Sequence, residues 1–390
     1  MLRLFTFIIF LSVAIFAQTK LVPQKVTLKS GKTFSLNLPA NYEIIPAAEG
    51  MKRIRFFAKS PDGRIFVTDM HDLTDNNIGK VYILDEWNEE TGKFGKVLTY
   101  MSNLKNPNSL AFYTDKKGQD WVYLAETDKL TRRKFVKGEV KPSGKAQVLA
   151  EFPDYGLSYK YGGWHLTRTI AIGGNGKIYV SVGSSCNACV EKENVRATVL
   201  EMEPDGKKLR VFAKGLRNAV GLKQIGKTLF ATNQGSDHLG VDKPDETFYA
   251  LKSGADYGWA FCHQANGKII TDPELKRAKG CKSMPLSYTF FPARSSALGF
   301  DYFDAKTTDP LIKNSFLVAL HGSSDKDMAK GYKIVIARKG QKNKDFITGF
   351  LKGDTVFGRP CDIFKLSPNT FLVSDDNKGI VYYVRPKQLN

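Results

Sequence analysis

The chain has 390 residues, 42% of them hydrophobic, which is enough to bury a large core. Fifty-eight basic residues against thirty-nine acidic ones give a formal charge of +19 and favour an anionic partner. The basic residues are scattered, with no basic helical stripe and no nucleic-acid motif, so nucleic acid is excluded. An anionic cofactor, an anionic envelope surface or an acidic redox partner would each suit the charge.

The first stretch, "MLRLFTFIIFLSVAIFAQ", has one arginine, an unbroken apolar run and the small residue Ala17 before a polar turn. That layout predicts a secretory signal, residues 1–17, cleaved near Ala17. An uncleaved anchor is the alternative, although Leu4 to Ala17 is short for a span of ~20 residues. No later segment is apolar enough to cross a bilayer. The mature protein is therefore expected to be periplasmic or secreted, with no integral membrane segment.

After the signal, one short phrase recurs: a turn, a β-rich run and a polar exit. It reads "SPDGRIFVTD" from Ser60, "QDWVYLAETD" from Gln119, "GNGKIYVSVG" from Gly174, "IGKTLFATNQG" from Ile225, "KNSFLVALHGS" from Lys313 and "SPNTFLVSDD" from Ser367. Successive starts lie 59, 55, 51, 88 and 54 residues apart. Units of this size, each with several strands, predict an all-β, six-bladed β-propeller. The long interval marks an insertion, about 240–297, and residues 18–390 read as one domain. The segment "KVTLKSGKTFSLNLPANYEIIPAA" would add a strand to the last blade and close the ring. A pair of β-sandwiches is the competing architecture.

Five cysteines in an exported chain permit two disulfides. Cys262 and Cys281 flank a polar loop and read as its staple. Cys186 and Cys189 form C-x-x-C followed by Val190, which argues against covalent haem, and either a local disulfide or two free thiols fits. No second ligand pair suggests zinc beside them. Cys361 is the odd one.

Loops at one end of a propeller converge on its axis, so chemistry there draws one or two residues from each blade. The candidates at strand ends are His165, Arg168 and Asn187, then Arg217 and Asn218 in "GLRNAVGL", then Gln234 to Asp237 in "NQGSDHLG". His321 in "ALHGSS" and Arg359 in "GRPCD" complete the set. Together they predict a cationic funnel with a titratable base inside it. Each has a plainer reading: a histidine as a hydrogen-bonded loop residue, an Arg-Asn pair binding blade-edge carbonyls. "HGSS" lacks the G-x-S-x-G elbow of a serine hydrolase. "SDD" at Ser374 to Asp376 reads as blade-turn chemistry, and "PDG" at Pro204 to Gly206 as a turn.

In order, "GWHLTRTIAI", "SVGSSCNAC", "EMEPDG", "AKGLRNAVGL", "GADYGWAFC", "SSALGFDYF", "LHGSS" and "GRPCDI" resemble the successive motifs of the glucose/sorbosone dehydrogenase family. The resemblance runs from about Leu38 to Val384 and is strongest to the sorbosone branch. It implies a six-bladed propeller that holds pyrroloquinoline quinone (PQQ) with calcium and oxidises a sugar, passing electrons to a separate acceptor. His165 matches the family's base and Arg217 the residue that polarises the quinone oxygen. Asn218, Asn187, Arg168, Arg359 and His321 are the implied cofactor contacts. Gly235, Ser236 and Asp237 match the loop that grips calcium. PQQ carries three carboxylates, which suits a funnel of arginines.

Three positions depart from the pattern. Soluble glucose dehydrogenases show R-x-R-D where this chain has Arg359-Pro360-Cys361-Asp362, so one cofactor-pairing arginine is missing. His321 stands near the place of a lysine, and Arg294 where the sorbosone branch has a histidine. Two rival readings remain: a non-catalytic extracellular binding propeller, and a calcium-dependent lactonase, which calls for several acidic side chains at the channel mouth.

Overall fold

Each of the six repeated phrases forms the second strand of a four-stranded antiparallel sheet in a computed structural model describing residues 20–154 and 165–387. The six sheets are arranged as a ring of blades, a six-bladed β-propeller. Blades 1 to 5 span residues 54–104, 109–151, 168–214, 222–291 and 297–347. Blade 6 takes three strands from residues 360–386 and its fourth, Tyr42–Ala48, from the N-terminal segment, with Ile44 opposite Val384. That strand closes the ring as the sequence predicts. The only helical turn among the described residues is Lys326–Met328. The predicted signal lies outside the described residues, and among those described no helix is long and apolar enough to cross a membrane.

The phrase works because its two halves do different jobs. In "SPDGR", Gly63 at φ 90° donates its amide to Ser60 O, and the Ser60 amide returns to Arg64 O, which reverses the chain. The apolar run that follows is buried along its whole length, as in Ile65–Asp69, Ile178–Val182 and Phe371–Asp375. Both faces of such a strand meet a neighbouring blade, so its side chains are apolar without alternation.

The core is divided in the same way. Six apolar clusters fill the six spaces between blades, among them Phe66, Tyr100 and Leu124 between blades 1 and 2, and Phe248, Phe300 and Phe316 between blades 4 and 5. At the axis Phe56, Val220, Leu298 and the buried thiol Cys361 meet from four blades and form a plug. The spacing of the repeats placed an insertion at about 240–297. Blade strands Glu246–Ala250 and Thr289–Phe291 fall inside that range, and the chain between them carries the hairpin Cys262–Ala265/Lys268–Thr271. The disulfide Cys262–Cys281 staples it, and Cys186–Cys189 forms a second disulfide.

Buried hydroxyls join the inner edges of successive blades. Thr68 donates to Asn108 O at 2.7 Å, Thr169 to Val220 O at 2.6 Å, Thr232 to Leu298 O at 2.8 Å and Ser374 to Arg55 O at 2.6 Å. Asn108 spans blades 2 and 3 through Thr169 Oγ1 at 2.9 Å. Thr232 also accepts the Gly221 amide at 2.9 Å, so its replacement leaves both a donor and an acceptor unpaired. Thr232→Val is expected to destabilise the protein by about 1–3 kcal/mol in urea unfolding, with Thr232→Ser close to wild type.

Candidate active site

In a ring of sequentially connected antiparallel blades, the connections after every second and fourth strand leave the same end. All of the predicted site residues stand on or beside such connections, so the topology brings them to one face. There they divide into two clusters.

The first centres on His165, just ahead of the inner strand Arg168–Ile172. Its Nδ1 lies 2.9 Å from the carbonyl of Ser184 and 3.1 Å from that residue's hydroxyl. A carbonyl only accepts, so Nδ1 carries the proton and Nε2 a lone pair, which accepts no hydrogen bond among the described residues. Burial, followed by the nearby charge of Arg217, holds the imidazole pKa well below its usual 6.5. The ring is thus a neutral base at neutral pH. A Cβ at Gly183 would fall 2.6 Å from both His165 Cβ and Asn218 Oδ1, so a residue without a side chain lets these two groups approach.

Arg217 is 4% exposed, and burial pushes its pKa down to about 10, which leaves it charged. Its Nε donates to Asn187 O and one Nη2 proton to Asn187 Oδ1, both at 3.0 Å. Asn187 in turn accepts the Asp237 amide at 2.7 Å, so one asparagine couples Arg217 to the 235–237 loop. The Cys186–Cys189 disulfide brackets Asn187 and holds it in place. Asn218 donates to Gln234 Oε1 at 2.7 Å, and Trp259 donates to Ser236 Oγ at 2.8 Å.

Two of the expected site residues are engaged by the protein itself. Arg168 was expected to clamp a cofactor carboxylate. Its guanidinium is 1% exposed overall and donates instead to main-chain carbonyls of His165 at 2.6 Å, Thr167 at 2.9 Å and Pro153 at 3.4 Å. It positions the turn that carries the base. Asp237 was expected to face a metal ion. Its carboxylate and its carbonyl are both taken by Arg294, which also binds Gly240 O at 2.6 Å, and Arg217 Nη2 stands 3.8 Å away. A carboxylate between two guanidinium groups is neutralised already. The arginine at the departure from the family pattern thus locks this loop.

The second cluster lies across blades 5, 6 and 1. His321 Nε2 donates to the buried Asp376 at 2.7 Å, and Arg359 Nη1 approaches its Nδ1 at 3.4 Å. Arg359 is otherwise held by Ser323 O and by the Tyr332 hydroxyl at 2.6 Å, and stacks on the Tyr332 ring. Asp376 also pairs with Arg55 and, at 3.1 Å, with Arg53. These charges and hydrogen bonds hold its carboxyl well below the usual range against the effect of burial, which acts upward. The turn reading of "SDD" fits Asp375, which accepts the amides of Arg359, Asn377 and Lys378, but not Asp376.

Sequence reading missed the residues that join the clusters. Arg55 Nε donates to Asn108 Oδ1 at 2.9 Å, and Asn108 Nδ2 reaches Arg168 O at 3.3 Å. A continuous polar path therefore runs from Arg359 through His321, Asp376, Arg55, Asn108 and Arg168 to His165. It also missed Glu246, 3% exposed with Oε2 unpaired, whose pKa burial raises to about 7 despite the charge of Arg217. Neither Arg55 nor Asn108 stands in a phrase with a recognisable chemical pattern. A cavity of about 240 Å³ follows the inner strands beyond Phe56 and is lined by Ala58, Ala111, Ile172 and Leu222. These residues come after the plug along their strands, so this volume belongs to the channel and not to the face that bears His165.

No family model matches the chain. An uncharacterised protein of Borreliella burgdorferi is 27% identical over 308 residues, covering 74% of this chain and 78% of that one. Among solved structures, the holo form of the PQQ domain of pyranose dehydrogenase from Coprinopsis cinerea aligns with a TM-score of 0.72 and 16% identity, over 90% of this chain and 97% of that one. A calcium structure of a Trichoderma reesei carbohydrate-active enzyme gives 0.71 and 14%, over 90% and 96%. The soluble aldose sugar dehydrogenase of Escherichia coli, in its apo form, gives 0.63 and 13%, over 89% and 100%. At these identities the likeness establishes a shared propeller fold along nearly the whole chain.

Proposed function

We propose that the protein is an exported PQQ- and calcium-dependent dehydrogenase that oxidises an aldose or related sugar aldehyde. One observation carries the reading: a neutral imidazole whose Nε2 has no hydrogen-bond partner among the described residues stands in the field of a buried, charged arginine. A protein that only binds has no need of such a base. The fold shared with sugar dehydrogenases favours the same chemistry without deciding it.

The donor set suits the cofactor. Arg217 is buried and, among the described residues, no acceptor engages its Nη1, which leaves a desolvated cation for an anionic oxygen. Among the described residues the main-chain carbonyls of Gly235 and Ser236 accept no hydrogen bond, and carbonyl oxygens are what calcium prefers. Arg359, pinned by Ser323 and Tyr332, adds a fixed positive charge at the same face. When bound, PQQ supplies an electrophilic ortho-quinone that accepts two electrons, with calcium as a Lewis acid beside it.

The chain's own residues do the rest. His165 Nε2 takes the proton of the sugar hydroxyl as the carbon is oxidised, and Ser184 keeps the ring in the tautomer that can do so. Arg217 steadies the negative charge that develops opposite the base. Asn218, against the same glycine as His165, orients the bound molecule. Two disulfides agree with an oxidising, exported setting. With no haem-attachment motif, a quinone or cytochrome acting as separate acceptor takes the electrons.

The test is dye reduction by the mature protein with PQQ, calcium and a panel of aldoses. His165→Ala is expected to lose turnover by about 10²–10⁴-fold while retaining the cofactor. Arg217→Ala should lower turnover by about 10²–10³-fold and weaken cofactor binding as well. Failure of the wild type to bind PQQ, measured by calorimetry, would move the binding-module reading to first place.

The base also makes a pH prediction. Its depressed pKa keeps it unprotonated below pH 6.5, so the acid limb of kcat/KM should fall below that value. Arg217→Met removes a positive charge and should raise the His165 pKa. Imidazole ¹⁵N shifts can follow this in the absence of turnover.

A further inference from the structure

Away from His165, two of the five histidines converge on one carboxylate oxygen. His238 Nε2 lies 2.7 Å and His263 Nε2 2.8 Å from Oδ2 of Asp272. Asp272 is fully buried, and its Oδ1 accepts the amides of Glu274 at 2.9 Å and Leu275 at 2.8 Å, so the group cannot turn away. His263 is 5% exposed, paired with Ile270 across the hairpin and next to the disulfide at Cys262. His238 comes from a different segment, the exposed loop that ends at Gly240, where φ is 103°. Two donors are therefore fixed, and the third is a partly exposed side chain on a separate segment.

We propose that His238, His263 and Asp272 form a binding site for a divalent transition-metal cation of the zinc class, with water in the remaining position. The three donor atoms lie within 4.8 Å of one another. Two imidazole nitrogens and one carboxylate oxygen match zinc and its neighbours, whereas calcium takes oxygen donors throughout. As hydrogen-bond donors the rings carry their protons on Nε2. A metal ion needs the tautomer with the proton on Nδ1. Metal–ligand bonds of ~2.0–2.2 Å set neighbouring donors about 3.3 Å apart in a tetrahedral site. That is roughly half an ångström wider than the present contacts, a movement within reach of the partly exposed His238 side chain. His238 directly follows Asp237, so a bound ion would also fasten the loop that carries Gly235 and Ser236.

The experiment is calorimetric titration of untagged protein with zinc chloride in calcium-containing buffer. One equivalent should bind, with affinity at least tenfold weaker in His238→Gln and in His263→Gln and unchanged in His71→Gln. Cobalt(II) should give the visible absorption of a tetrahedral site, lost on adding zinc. His238 is on the surface, and circular dichroism checks that its variant is folded, so lost binding there reports the ligand and not the fold. A wild type without a stoichiometric zinc site, or a His238→Gln variant of equal affinity, overturns the proposal.

Discussion

The structure rests on a hydrogen bond that recurs around its axis, from a buried hydroxyl on one blade to a main-chain carbonyl on the next. Apolar clusters fill the spaces between blades and supply most of the favourable free energy, but apolar contact is non-directional and tolerates sliding. The hydroxyl bonds at Thr68, Thr169, Thr232 and Ser374 are directional and buried, so a displaced blade would leave polar groups unpaired. They fix the height of the inner strand against its neighbour at four of the six junctions. The turns at the end of those strands, and with them His165, Arg217 and Arg359, inherit that precision.

The chemistry of the face follows from burying more positive charge than the chain neutralises there. Arg53 and Arg55 share Asp376 on one side, and Arg217 and Arg294 flank Asp237 on the other. Arg168 finds carbonyl dipoles in place of an anion. Burial depresses the pKa of His165, and the remaining field, magnified by low dielectric surroundings, adds to that effect and suits an anionic guest. The cationic composition of the whole chain is only a faint image of this local arrangement.

The repeat was legible because a blade's second strand is covered on both sides and must stay apolar, between a tight turn and a polar exit. The closing N-terminal strand, Tyr42–Ala48, is an outer and only partly buried strand, legible as the β-rich run ahead of the first unit. That His165 and Arg217 stand near one another was legible from motifs, resembling those of a known family, set on neighbouring connections. The carbonyl contacts of Arg168 were not legible, because a strand-initial arginine looks the same whether it points outward or back along its own turn. Asp376 was hidden beside Asp375, since two adjacent aspartates in one phrase have unlike duties: one caps a turn and the other is an ionic hub. Arg55 and Asn108 carry no signal at all. Their roles exist only once blades 6, 1, 2 and 3 are side by side.

The ring closes by pairing Tyr42–Ala48 with Ile380–Pro386, two segments separated by more than three hundred residues. Loop closure of that length comes late, after local hairpins have formed. A ribosome delivering this chain, or a membrane it crosses N-terminus first, releases the clasp well before the catch. Until the last strand arrives, the assembly is an open arc with two exposed sheet edges, a form inclined to stick to other chains. Synthesis thus holds the protein in its most vulnerable shape until the strand Ile380–Pro386 emerges.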